Sequence, residues 1–191
     1  MKQGEDMKKI VLIGGEESAV NALRKAAEES GVQTVIVSAE CADMKVSDVF
    51  EISADMRPSA DEPEQGYMLM EGLTIEELTA LLRKVKEAGE EYEGIKVMRT
   101  ETNQHWPLSV LMSHTAAEHR TVQKARVLQQ ILKSTNQLNF SEIAETEGAV
   151  LKNAMMAAYF LLQSGEYTEE SIDQASAELM EALKNARKNL S

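Results

Sequence analysis

Residues 9–14 read KIVLIG and residues 67–72 read YMLMEG. Each is a short apolar run without polar alternation, closed by a glycine. That pattern marks a strand that is apolar on both faces. In the first, Ile10 and Leu12 point one way, and Val11 and Ile13 the other. In the second, Tyr67 and Leu69 oppose Met68 and Met70. Strands of this kind need cover on both sides of their sheet, which sets an α/β expectation for the first half of the chain.

Working outward, each run is followed by the same succession of patterns. Glu16–Ser30 has Val20, Leu23 and Ala27 at helical spacing, with Gly31 as its stop. Val32–Val37 is rich in β-branched residues and reads as a strand. After the second run, Thr74–Ala88 reads as a helix opened by a Thr74/Glu77 capping box, with Gly89 as its stop. Ile95–Arg99 reads as a strand in which Lys96 and Arg99 break the apolar pattern, as at a sheet edge. A shift of 58 pairs Gly14 with Gly72, Leu23 with Leu81 and Gly31 with Gly89. A shift of 62 then pairs Ser38 with Thr100, Met44 with Trp106, Val46 with Leu108 and Phe50 with Met112. The expectation is an internal duplication, with copies 8–51 and 66–113, each a strand, helix, strand and helical turn.

The predicted architecture is a four-stranded sheet with the first and third strands central and helices on both faces. The reading favours a parallel three-layer arrangement, and a split β-α-β (ferredoxin-like) sheet with the same element order stays open. Residues 52–65 (ISADMRPSADEPEQ) read as a mobile acidic loop, because they offer little to bury. From Pro107 the chain is helical. One face runs from Leu108 to about Asn136, either unbroken or broken near 119–121. Helices at about Ser141–Gln163 and Thr168–Asn189 follow. Residues 1–119 therefore read as the duplicated α/β domain and residues 120–191 as a helical extension. The last helix has a heptad-like seam at Ile172, Ala175, Leu179, Ala182 and Ala186, which together with the apolar run Met155, Met156, Ala158, Tyr159 and Leu162 points to homodimerisation through the C-terminal helices.

Composition limits the partners. The 191 residues carry 20 Lys and Arg against 32 Asp and Glu, a net charge of −12 that repels phosphate backbones and anionic membranes. The basic strip Arg120, Lys124, Arg126 and Lys133 has no interleaved aromatics, so nucleic acid is not an expected partner. No apolar run approaches the ~20 residues of a membrane span, and MKQGEDMKK is too polar for a signal segment. The single Cys41 excludes an internal disulfide. The expectation is a cytoplasmic protein with no cofactor, partnered by itself and by a small molecule or another protein.

Candidate chemistry is sparse. Gly14-Gly15 lies between a strand and a helix, but Glu16 and Glu17 follow at once and would repel a phosphate. In a parallel sheet the loops after the first and third strands meet, which would gather Glu16, Glu17 and Glu71 at a switch point suited to a hard cation. Thr102 and Asn103 are further candidate binding residues. His105, His114 and His119 fall close together, with Glu118 one turn from His114. HTAAEH matches neither HExxH nor HxxEH, so His114, Glu118 and His119 are weak metal candidates. Trp106, at a strand-to-helix corner and paired with Met44, reads as core. No nucleophile constellation is present. The reading is a non-enzymatic ligand-binding, regulatory or protein-interaction module. The alternative is a metal-dependent hydrolase using the switch-point carboxylates or the histidines.

Gly72, Glu77, Leu78, Leu81 and Leu82, followed by the T-N-x-x-W-x-L run of Thr102, Asn103, Trp106 and Leu108 and then Leu111 and Glu118-His119, carry a family resemblance. Residues 66–119 resemble a bacterial family classed as a domain of unknown function. The resemblance implies a small α/β protein and no activity, substrate or catalytic residue.

Overall fold

A computed structural model describes residues 8–188 of the chain. It divides between Ala116 and Ala117 into two compact units. The first contains strands β1 (Lys9–Ile13), β2 (Gln33–Ile36), β3 (Tyr67–Glu71) and β4 (Ile95–Met98), and helices α1 (Glu17–Glu29), α2 (Val46–Phe50) and α3 (Ile75–Glu87). Helix α4 (Leu108–Thr135) starts here, and its residues from Ala117 onward belong to the second unit. It runs unbroken.

The strands form one sheet in the order β2-β1-β3-β4, with β1 and β3 central as expected. Both faces are covered. Ile10, Leu12, Met68 and Met70 pack with Leu23 of α1 and Leu81 of α3 on one side. Val11, Ile13, Leu69 and Val97 pack with Val46 and Phe50 of α2 and Leu108 and Leu111 of α4 on the other. The capping box of Thr74 and Glu77 is formed at the start of α3. Strand β4 alternates buried and exposed residues, as an edge does.

Direction is where the structure departs from the sequence reading. β1 pairs parallel with β2, and β3 parallel with β4, but β1 and β3 run antiparallel. The sheet is mixed, neither all-parallel nor ferredoxin-like. The cause is the segment between α2 and β3. It climbs the outer edge of β2, where Met56 N–H donates to the Ile36 carbonyl, and delivers the chain to the end of the sheet where β1 finishes. There Tyr67 lies opposite Ile13, and β3 can only run the other way.

The antiparallel register is centred on Val11 and Leu69, positions 58 apart, so the two halves face each other about a local two-fold axis. The contacts obey it. Val46 N–H donates to the Trp106 carbonyl, and Leu108 N–H donates to the Met44 carbonyl. Lys9 Nζ donates to the Phe50 carbonyl, and Tyr67 Oη donates to the Met112 carbonyl. Each bond of a pair maps onto the other under the shifts of 58 and 62 found in the sequence.

In the second unit, α5 (Glu145–Ser164) and α6 (Glu169–Lys188) pack with the later part of α4. Asn189, expected as the end of the last helix, lies outside the described residues, as do residues 1–7 of the polar opening stretch. The seam of α6 is spent inside this unit. Ile172, Leu179 and Ala186 have no exposed surface and Ala182 keeps 5%. They pack with Leu128 of α4 and with Leu151 and Ala158 of α5, so this seam is core and not a dimer face.

Candidate functional site

The antiparallel centre dissolves the expected switch point. Glu71 sits opposite Lys9 at the start of β1, whereas Glu16 and Glu17 follow its far end. The three carboxylates are not brought together. Glu16 precedes α1, and the single proton of the Ser18 hydroxyl is within reach of both Glu16 and Glu90, at 3.2 and 2.9 Å. Glu71 is ion-paired to Arg99 at 2.9 Å. Arg99 is itself mostly buried, donates to Gln104 Oε1, and lies over the ring of Phe50.

Asn103 is buried, and its side chain is consumed by its own turn. Its Oδ1 accepts from Thr100 N–H and its Nδ2 donates to the Met98 carbonyl. Thr102 is exposed beside it. Trp106 is partly buried, in keeping with its reading as core. It packs on the α2/α4 side of the core and meets His114 edge-on at 5.5 Å. His105 and His119 each lie beside a glutamine side chain, Gln104 and Gln123. Among the described residues, no group of three or more His, Cys, Asp or Glu side chains is placed to hold a metal ion. In the basic strip, Arg120 and Lys124 are taken up by Glu169 and Asp173 of α6.

The acidic loop is a strap. Asp55 Oδ1 accepts from Ile36 N–H and pairs with Arg24 at 2.8 Å. Glu62 Oε1 accepts from Ala39 N–H, Ser59 N–H and Ser59 Oγ. Pro63 closes over Gly14, which adopts a φ of +58°, and a Cβ there would lie 2.6 Å from the Pro63 carbonyl oxygen. Burial pushes the Glu62 carboxyl up, but the amides of Ser59 and Ala39 and the hydroxyls of Ser38 and Ser59 together hold it below its ordinary value. Cys41 lies under the strap with its sulfur 3.4 Å from Met56 Sδ, and burial, with Glu40 and Glu62 nearby, pushes its thiol up. A thiol of this kind is a packing group rather than a nucleophile.

Among the described residues, two surfaces that the polar motifs did not mark are also exposed. One is the outer edge of β4. The other is the outer face of α5, where Val150, Met156, Tyr159 and Phe160 stand 51–67% exposed. Between Glu147 and Glu166 that helix has one charged residue, Lys152. The apolar run Met155, Met156, Ala158, Tyr159 and Leu162 marks this helix in the sequence beside the seam of α6.

The class defined by these features is an α/β domain with a mixed four-stranded sheet, joined to a helical unit. Residues 67–122, from β3 into α4, match the model of a family described as a domain of unknown function (DUF3783). That bears out the resemblance to such a family over this stretch. Compared with curated proteins and with solved structures, the chain matches none. Among the described residues, no helix is long and apolar enough to cross a membrane.

Proposed function

We propose that this chain is a non-enzymatic protein-interaction module that self-associates through the outer face of α5. The observation that carries the reading is the exposed set Met156, Tyr159 and Phe160, with Tyr159 and Phe160 in edge-to-face contact at 5.9 Å. Three large apolar side chains on adjacent turns of one helix form a patch that water solvates poorly, and such patches favour docking. A second copy suits it on electrostatic grounds. Two chains that each carry −12 repel over most of their surface. A two-fold contact places the same patch on both partners, so it must carry little like charge, and between Glu147 and Glu166 this helix has only Lys152. Of the candidate polar residues, Glu71 and Asn103 are already engaged in ion pairing and turn formation.

Light scattering on the full chain at micromolar concentration tests it. The expected result is twice the 21.1 kDa chain mass, falling to a single chain in Phe160→Glu. A full chain that stays monomeric, or a Phe160→Glu variant of unchanged mass, overturns the reading.

A further inference from the structure

We infer that residues 53–65 are an acid-released latch, a strap that swings off β2 as a unit while the sheet stays folded, and so bares Cys41 and the Gly14 turn.

The segment is fixed at both ends and lightly held between them. Before it, the Ile52 carbonyl accepts from Lys9 Nζ at 2.7 Å; after it, the Gly66 carbonyl accepts from Ile95 N–H. Between these points, among the described residues, one backbone-to-backbone bond ties the strap to the rest of the first unit, from Met56 N–H to the Ile36 carbonyl. Met56 is also its one large apolar side chain, partly buried on the α2/α4 side of the core. A stretch with so few backbone bonds and so little apolar burial opens at a lower free energy than the strands beside it.

The side chains that hold it shut are carboxylates. Asp55 accepts from Ile36 N–H and pairs with Arg24 of α1 at 2.8 Å. Glu62 accepts from Ala39 N–H on the turn after β2, and from Ser59 N–H and Oγ within the strap. Gln65 adds one exposed bond to the Glu93 carbonyl, at 3.3 Å. A protonated carboxyl keeps its length but loses the charge that makes such bonds strong. Neighbouring groups do not compensate. Among the described residues no Lys, Arg or His forms an ion pair with Glu62, and the titratable group on the turn beside it is Cys41, itself next to Glu40. Arg57, Asp61 and Glu64 are exposed, so their charges meet solvent whether the strap is shut or open. The shut strap favours the ionised form of Glu62. Its hold is therefore complete above the ordinary carboxylate range and weakens as pH falls below about 4.3.

The fold carries its own reporters. Shut, the strap lays Met56 Sδ 3.4 Å from the Cys41 sulfur, and Cys41 keeps 3% exposure. It is the single cysteine of the chain. On β2, Ile36 N–H faces the strap, whereas the next amide, Val37 N–H, donates inward to the Leu12 carbonyl. Opening of the strap alone frees the first and leaves the second.

The test is amide hydrogen exchange on the full chain, corrected for intrinsic rates, with labelling of Cys41 by dithiodipyridine relative to a peptide copying residues 39–43. At pH 7 the amides of Ile36, Ala39, Met56 and Ser59 should share one protection factor, at least about tenfold below that of Val37. Glu62→Gln should lower all four about fivefold, including Ile36 and Met56, whose own bonds it leaves in place, and should leave Val37 unchanged. Relative labelling of Cys41 should rise by a similar factor. Between pH 7 and pH 3.5 the four amides of the native chain should lose protection severalfold, and those of Glu62→Gln should lose less. Equal protection of Ile36 and Val37 overturns the inference, because the strap would then open only with the sheet. So does a Glu62→Gln effect confined to Ala39 and Ser59, which would be the loss of two bonds and not the release of a unit. Relative labelling of Cys41 that is unmoved by Glu62→Gln and by acid overturns it as well.

Discussion

Replacing Glu62 by glutamine isolates the strap's main anchor, because the side chain keeps its length and loses only its charge. In the native protein one carboxylate oxygen accepts two backbone amides at 3.0 Å and a serine hydroxyl at 3.3 Å. Hydrogen bonds to a charged acceptor contribute about 1.5–3 kcal/mol, against roughly 1 for a neutral one. Two good amide bonds then lose about 1–2 kcal/mol. Glu62 is only half-buried, so the lower end, about 1 kcal/mol, is expected. Glu62→Ala leaves both amides unpartnered and should cost about 2 kcal/mol. The sign with pH follows from the carboxyl being held below its ordinary value. The stabilisation is complete above the unfolded carboxylate range and is lost as pH falls below about 4.3 toward the folded value. Urea unfolding, followed through the single Trp106 in the first unit, should therefore separate wild type from Glu62→Gln at pH 7, with the gap narrowing as pH falls below about 4.3. A difference below about 0.3 kcal/mol at pH 7, or one that does not shrink in acid, would refute the reasoning.

Gly14→Ala should destabilise the first unit by about 2 kcal/mol or more, because it adds the strain of positive φ to a clash with the Pro63 carbonyl; a neutral thermal melt would show that the strap does not close over β1. Trp106→Ala should cost about 2 kcal/mol, less than a fully buried ring, with α-helical content by circular dichroism retained. Leu23→Ala and Leu81→Ala, at equivalent buried positions of α1 and α3, should each cost about 2–5 kcal/mol and should not add, since both line one cluster; additive losses in a double-mutant cycle would argue against shared packing.

Much of the fold was legible because it has a period. Alternation placed Ile10 and Leu12 opposite Val11 and Ile13, glycine stops bounded the helices, and Thr74 with Glu77 announced a helix start. The direction of β3 was not legible, because apolar alternation reports which face a residue occupies and nothing about which way the strand runs. Direction was decided by Asp55 and Met56, whose bonds to Ile36 leave no repeating trace. Their setting in an acidic, proline-containing stretch reads as solvated loop, and the bonds of Glu62 to Ala39 and Ser59 are equally silent in sequence. The α6 seam was correctly seen as apolar, but a stripe does not say whether a neighbouring helix or another chain will cover it. Leu128, Leu151 and Ala158 of the same unit do so. The candidate carboxylates failed for the same reason as the strand direction, since their meeting depended on a parallel centre.

The inequality of the two sheet edges bears on how such a chain can assemble. Its halves share a register and reciprocal bonds about Val11 and Leu69, which supports the proposal that they descend from one duplicated unit. A unit of that kind carries two open strand edges, one of which the β1–β3 pairing buries. Joining two units removes that central pair of edges and leaves β2 and β4 facing outward. If both stayed open, addition at one end would regenerate an open edge at the other, and the sheet would grow without closing. The strap obstructs this at β2 by supplying, from the same chain, an acceptor for the Ile36 N–H and a donor for the Ile36 carbonyl. It exists only on that side because the segment joining the halves follows the first unit, while the second continues directly into α4. The same linker that sets the direction of β3 thereby satisfies the outward amide and carbonyl of Ile36, while the Thr34 amide beside them on β2, like those of Lys96 and Met98 on β4, has no partner among the described residues.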